Sequence, residues 1–133
     1  MRVRARVIVP GKAFGEALVI RDSLSFYGGV DPNTGIIIDR HSPGYGKSVA
    51  GKILIFEGGR GSTVGSYIIY ALKRNGVAPK AMIALESEPI IAAGAALARI
   101  PLLDRPERNV LELIEDGTLV RVYGIDKEGY IER

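Results

Sequence analysis

Val3, Ala5, Val7 and Val9 alternate with Arg2, Arg4 and Arg6 at the start of the chain. This is the period-two pattern of a strand with one buried face, and it leaves the arginine stripe as a solvated face. After Pro10-Gly11 a second extended run covers residues 15–20. The apolar pattern then breaks up in a turn-rich region carrying Gly28-Gly29 and Asp31-Pro32-Asn33-Thr34-Gly35, residues whose short side chains and backbone freedom suit turns. Ile36-Ile37-Ile38 predicts a short buried strand. A loop over 41–48 leads into Lys52-Ile53-Leu54-Ile55-Phe56, an unbroken apolar run that predicts a strand covered on both faces and central in its sheet.

The second half of the chain alternates. Val64, Ile68, Ala71 and Leu72 recur at helical spacing over 64–75, with Lys73 and Arg74 in the last turn and Gly76 at the position of a C-terminal cap. Residues 81–85 read as a strand. Ser87-Glu88-Pro89 starts an alanine-rich helix over 90–99 that Pro101 stops, since proline is tolerated at a helix start and breaks its interior. A short strand over 100–103, a brief helix over 109–115 ended by Asp116-Gly117, a strand over 118–123 and a turn into Tyr130-Ile131 complete the pattern. Strands first and strand-helix alternation afterwards predict an α/β chain with two sheet layers and helices on one side. No repeat or linker interrupts it.

With 133 residues, 47% hydrophobic and 25% charged, the chain has the size and composition of one globular domain over 1–133, and disorder or a fibrous repeat is excluded. No stretch reaches the ~18 apolar residues of a membrane span, and Met1-Arg2-Val3-Arg4 does not build the apolar middle of a signal peptide. A cytoplasmic, membrane-free chain is therefore expected. The absence of cysteine removes disulfides, thiolate metal sites and thiol nucleophiles. The one histidine, His41, cannot build a zinc site alone. Eighteen basic against fifteen acidic residues are interspersed, with six tyrosines, three phenylalanines and no tryptophan, so neither a clustered basic face nor an aromatic platform for nucleic acid is expected.

Two segments carry chemical suggestions. Gly44-Tyr45-Gly46-Lys47-Ser48 ends like a phosphate-binding P-loop, but the position of the motif's first glycine holds His41 and the sequence that follows is extended, not helical. It reads as a surface loop. Glu57-Gly58-Gly59-Arg60-Gly61-Ser62-Thr63-Val64-Gly65-Ser66 lies between the predicted central strand and the first helix. A strand, a glycine-rich loop and a helix start together offer free backbone N–H groups and the positive end of a helix dipole to an anion. Arg60 adds a forked cation, Gly61 permits close backbone approach, and Ser62 and Thr63 place hydroxyls at the same point. The same residues also suit an ordinary N-cap and tight turn.

Gly59-Arg60-Gly61-Ser62-Thr63, with Asp31 to Asp39 and His41 to Gly51, resembles the small subunit of the aconitase X family along nearly the whole chain, and is most similar to free-standing archaeal small subunits. The resemblance implies a swivelling β/β/α fold like the mobile fourth domain of aconitase. It also implies a hydro-lyase of the archaeal mevalonate (isoprenoid) pathway, taking water from (R)-5-phosphomevalonate to give trans-anhydromevalonate 5-phosphate. Ser62 would be the base, with Arg60, Gly61 and Thr63 as substrate contacts and His41 without an assigned role. Elimination from a 3-hydroxy carboxylate needs both a base and a Lewis acid, and this chain offers only the base. The resemblance implies that a large catalytic subunit, forming a heterodimer with this chain, holds a four-iron four-sulfur cluster, and this chain holds no cofactor. The alternatives are a non-catalytic swivel module for a phosphorylated ligand or partner, or a family dehydratase acting on another substrate such as a hydroxyproline. Residues 81–131 also resemble swivelling phosphohistidine domains, but no histidine follows position 41, so the likeness extends to architecture only.

Overall fold

In a computed structural model describing residues 1–133, the alternating N-terminal run forms β1 (Arg2–Val9), with Val3 and Ala5 buried. A register shift between Val7 and Val9 breaks the strict alternation. Val3 and Ala5 therefore face one core while Val9 joins the other. The arginines are not merely solvated: Arg2, Arg4 and Arg6 pair with Glu132, Glu107 and Asp104.

Nine further elements follow: β2 (Gly11–Leu24), β3 (Ile53–Gly59), α1 (Gly65–Arg74), β4 (Ala81–Ala84), α2 (Pro89–Ala98), β5 (Leu102–Asp104), α3 (Val110–Leu113), β6 (Leu119–Gly124) and β7 (Glu128–Glu132). The strands form one closed sheet in the order β1-β5-β4-β3-β2-β6-β7. Strands β2, β3, β4 and β5 run parallel, and the remaining pairings are antiparallel. The two sheet layers expected from the sequence are thus the opposite walls of a single barrel. Closure leaves no unpaired edge.

Strand β3 shows how its apolar run is used. Ile53 and Ile55 point into the barrel, where they meet Val3, Val19, Ile83 and Val120. Leu54 and Phe56 point outward to Ile69 and Leu72 of α1 and Ile91 and Ala95 of α2. Both faces are covered, as the unbroken pattern predicts, and β3 lies in the middle of the parallel run. Helix α3 contributes Val110 and Leu111 to the barrel interior, its first turn capped by the Asn109 side chain on the Leu111 N–H.

Helix α2 begins as its sequence predicts: Pro89 occupies the first turn and the Glu88 carboxylate accepts the N–H groups of Ile90 and Ile91. Gly94 lies where α2 meets α1, and a Cβ there would stand 3.1 Å from the Ser66 Cα. The crossing is close enough to need a missing side chain.

Two expectations change. β2 is longer than residues 15–20 because its N-terminal half pairs with β6 and its last residues with Gly58 and Gly59. Ile36-Ile37-Ile38 is not a strand of the sheet. Only isolated bridges form there, Val30 with Ile37 and Ile36 with Ser48. Ile37 is buried, whereas Ile36 and Ile38 are 38% and 48% exposed. A triple isoleucine set in a loop buries the one side chain that faces the core.

Candidate active site

The parallel strands β2 and β3 end side by side, Ser23 opposite Gly58 and Leu24 opposite Gly59. Loops leaving the carboxyl ends of parallel strands are the usual location of ligand sites in α/β proteins. Three meet here: the start of the long connection after Leu24, its middle around residues 36–48, and the short link 60–64 from β3 to α1. Gly61 adopts a φ of +91° and lies against Ser25, so that a Cβ would stand 2.6 Å from the Ser25 Oγ. Both the backbone and the space demand glycine.

Ser62 comes next, half-buried. Its Oγ accepts the Val64 N–H at 3.1 Å and its carbonyl accepts the Gly65 N–H at 3.0 Å. The hydroxyl therefore closes a short turn ahead of α1 and does not act as the helix N-cap, which is Val64 without a side-chain bond. The N–H groups of Gly61, Ser62 and Thr63 have no acceptor within the chain, and the first turn of α1 carries no acidic side chain to offset its positive end. Thr63 is exposed, its carbonyl accepting the Ser66 hydroxyl at 3.1 Å. Chemically this is a row of donors beside a hydroxyl already receiving one N–H.

Arg60 is directed away from that row. Its guanidinium donates to Ser23 Oγ and to Asp39 Oδ2, each at 3.0 Å, with Asp22 Oδ1 at 3.8 Å. The other Asp39 oxygen, Oδ1, accepts the backbone N–H of His41 at 2.9 Å. The cation expected to meet a ligand is thus partnered by two carboxylates, and the backbone donors at Gly61–Thr63 are the unpartnered anion-attracting groups. Asp39 was not assigned a role from the sequence. Its position two residues before His41, an Asx-turn spacing, is the available signal. His41 is exposed and its ring forms no hydrogen bond.

The β4–α2 connection runs beside the end of β3, the Glu86 N–H donating to Glu57 O at 3.2 Å. Asp104 is fully buried at the end of β5 and accepts Arg6 in two bonds of 2.8 Å, the Ser87 N–H at 3.0 Å and the Ser87 hydroxyl at 2.6 Å. Burial alone would raise its pKa, but the bonds from Arg6 and Ser87 outweigh that and hold it below the usual carboxylate range. The P-loop-like segment does not have that motif's geometry: Lys47 pairs with Asp116 at 2.9 Å and the chain continues into β3, not a helix.

The site is open. A groove of about 890 Å³ lies elsewhere, lined by Val7, Ile8, Pro10 and residues 125–128. Near the Ser62 loop, Tyr27, Val64 and Tyr67 are 40–66% exposed. Exposed apolar side chains beside a polar centre suit a contact surface. No group of three His, Cys, Asp or Glu side chains is placed to hold a metal ion, and no helix is long and apolar enough to cross a membrane.

The aconitase X swivel domain family matches residues 2–133. The chain belongs to that family. This swivel domain is 53% identical over 124 residues to the phosphomevalonate dehydratase small subunit of Methanocella arvoryzae, covering 93% of this chain and 94% of the relative. It is 52% identical over 132 residues to that of Thermococcus onnurineus, covering 99% and 98%. The crystal structure of Thermococcus kodakaraensis aconitase X in its holo-form superposes with a TM-score of 0.92 at 49% identity, covering 100% of the swivel domain and 99% of that chain. The expected α/β swivel fold is therefore confirmed.

Proposed function

We propose that this swivel domain is the small subunit of a phosphomevalonate dehydratase, acting with a larger subunit to remove water from (R)-5-phosphomevalonate in the archaeal mevalonate pathway. The observation that carries the reading is the near-full-length similarity to chains bearing that one name. The loop geometry supports it. Dehydration to trans-anhydromevalonate 5-phosphate takes a proton from the carbon beside the carboxylate, and the 3-hydroxyl departs.

Ser62 Oγ is the proton acceptor in this reading. A serine oxygen serves as a base only when its negative charge is stabilised, and the Val64 N–H at 3.1 Å with the start of α1 supplies that stabilisation. The unpartnered N–H groups of Gly61, Ser62 and Thr63 orient an anionic group of the substrate beside it. Arg60 contributes charge at longer range, because its fork is already engaged.

The chain's residues do not fit an iron–sulfur cluster. Such clusters are held by thiolates, and this chain has no cysteine and no cluster of alternative ligands. The four-iron four-sulfur centre implied by the resemblance is assigned to the large subunit, and no step is derived through it. The open loop and its apolar rim suit a site completed by that subunit in a heterodimer.

The test is dehydration of phosphomevalonate by the co-expressed two-chain complex. Ser62→Ala is expected to fold and assemble normally while turnover falls by about 10³-fold, within the range general-base groups contribute. Near-normal turnover of the variant would refute the role of Ser62, and failure of the native complex to act on phosphomevalonate would refute the substrate.

A further inference from the structure

We propose that Asp39 and Arg60 form a positioning pair that locks the glycine-rich link carrying Ser62 against the His41 loop. The inference rests on the reading of Ser62 as the base, but its physical content is separate. Arg60 immediately precedes the left-handed turn at Gly61, one residue before Ser62. Its backbone N–H reaches Leu24 O at only 3.3 Å, at the limit of the β2–β3 ladder, and beyond it Gly61, Ser62 and Thr63 make no backbone hydrogen bond through their own N–H groups. Main-chain bonding therefore does not fix the loop at this point. The side chain does: its fork spans Ser23 on β2 and Asp39 on the long connection, both at 3.0 Å.

Asp39 completes the arrangement. One of its oxygens holds Arg60 and the other the His41 N–H, so a single carboxylate ties the Ser62 link to the segment that leads into Tyr45. The side chain of Asp39 is 19% exposed and that of Arg60 41%, so water screens the pair only in part. The end of β2 and two loops separated in sequence meet at Arg60 and Asp39. Arg60 thereby acts on Ser62 through geometry and not as an anion ligand.

Two readouts test this. In hydrogen exchange of the full chain, Arg60→Ala and Asp39→Ala are each expected to speed exchange of the Arg60, Val64 and Gly65 amides by about tenfold or more, leaving the β4 amides unchanged, as a local opening does. Unchanged exchange at those three amides would overturn the proposal whatever the enzyme does. In the two-chain complex, each variant is expected to lower kcat by about 10- to 100-fold, the cost of a misplaced catalytic group, with KM moving less than about threefold. The double variant should be no worse than either single one, because the pair acts as a unit. Arg60→Lys, which keeps a cation within reach of Asp39, should recover part of kcat. A loss carried by KM, or additive losses in the double variant, would identify Arg60 as a substrate contact and overturn the positioning role. Should Ser62→Ala retain normal turnover, the catalytic reading falls while the exchange result still decides the pairing.

Discussion

Gly61 is the residue on which the Ser62 turn depends. Its φ of +91° and the nearby Ser25 hydroxyl leave no room for a side chain, so Gly61→Ala combines backbone strain with a contact that must be relieved. A destabilisation of about 1–3 kcal/mol is expected, read as a lower midpoint in urea unfolding, together with reduced turnover of the two-chain complex because the turn relaxes beside Ser62. Unchanged stability and turnover would show that the loop tolerates another path. At this scale the sequence was informative in one respect and silent in another. The order strand, glycine-rich loop, helix start placed Ser62 and its donors where they are found, because local spacing dictates them. It could not show that Arg60 faces Asp39 and not a ligand, since that contact spans 21 residues of chain and depends on how the long connection folds back. Ser62 and Thr63 as simple N-caps were an equally local reading, and the structure replaces it with a turn closed by Ser62 on the Val64 N–H.

Helix α1 is placed by what it packs on. Its buried Ile69 and Leu72 rest on the outward face of β3, and Gly94 of α2 admits its backbone near Ser66. Because the Ser62 turn leads directly into α1, the α1–α2 crossing sets where the turn stands. Gly94→Val would push β-branched carbons into Ile69 and the Ser66 backbone, a mismatch expected to cost about 1–3 kcal/mol and to shift α1 outward. Thermal unfolding checks the first effect. A fall in turnover of the complex at temperatures where the variant remains folded checks the second, and full activity there would separate the crossing from the site. The elements most legible in the sequence were those whose pattern matches burial on both sides or on one: β3 from its continuous apolar run, α2 from Glu88-Pro89 and its alanines, β1 from its alternation. Ile36-Ile37-Ile38 misled for a physical reason. Apolar residues in a long loop can anchor it through alternate side chains, as Ile37 does, without entering the ladder. Barrel closure was equally hidden, because pairing of the first strand with β5 and β7 is a non-local matter that no window of sequence contains.

Over the whole molecule, the three arginines of β1 join distant parts of the chain to the barrel wall, and only one of the three pairs has a fully buried partner. Arg2–Glu132 and Arg4–Glu107 are largely exposed, where ion pairs contribute little. Asp104 is different: it is buried and satisfied by Arg6 and Ser87, and its pKa is held down despite the opposing effect of burial. Asp116 follows the same balance, burial opposed by the Val19 N–H and Lys47, with a lowered result. For such groups the folded pKa lies below the unfolded value of about 3.9. Their stabilisation is fully present above that value and is lost as the pH falls through the lower folded pKa. The swivel domain should therefore keep this contribution to its stability from neutral pH down to about pH 4 and lose the contribution progressively below. Replacing Asp104 with asparagine preserves the shape while removing the charge that Arg6 and the Ser87 donors address, so it is expected to cost about 1–3 kcal/mol at neutral pH and to flatten the acid limb of the stability curve. Urea unfolding of native and Asp104→Asn chains across pH 2–7 measures both. Parallel acid limbs in the two proteins would mean that Asp104 titrates in the folded state as it does in the unfolded one, and the carboxylates responsible for acid sensitivity would then have to be sought among Asp116, Glu86 and Glu107, whose pKa values are also lowered.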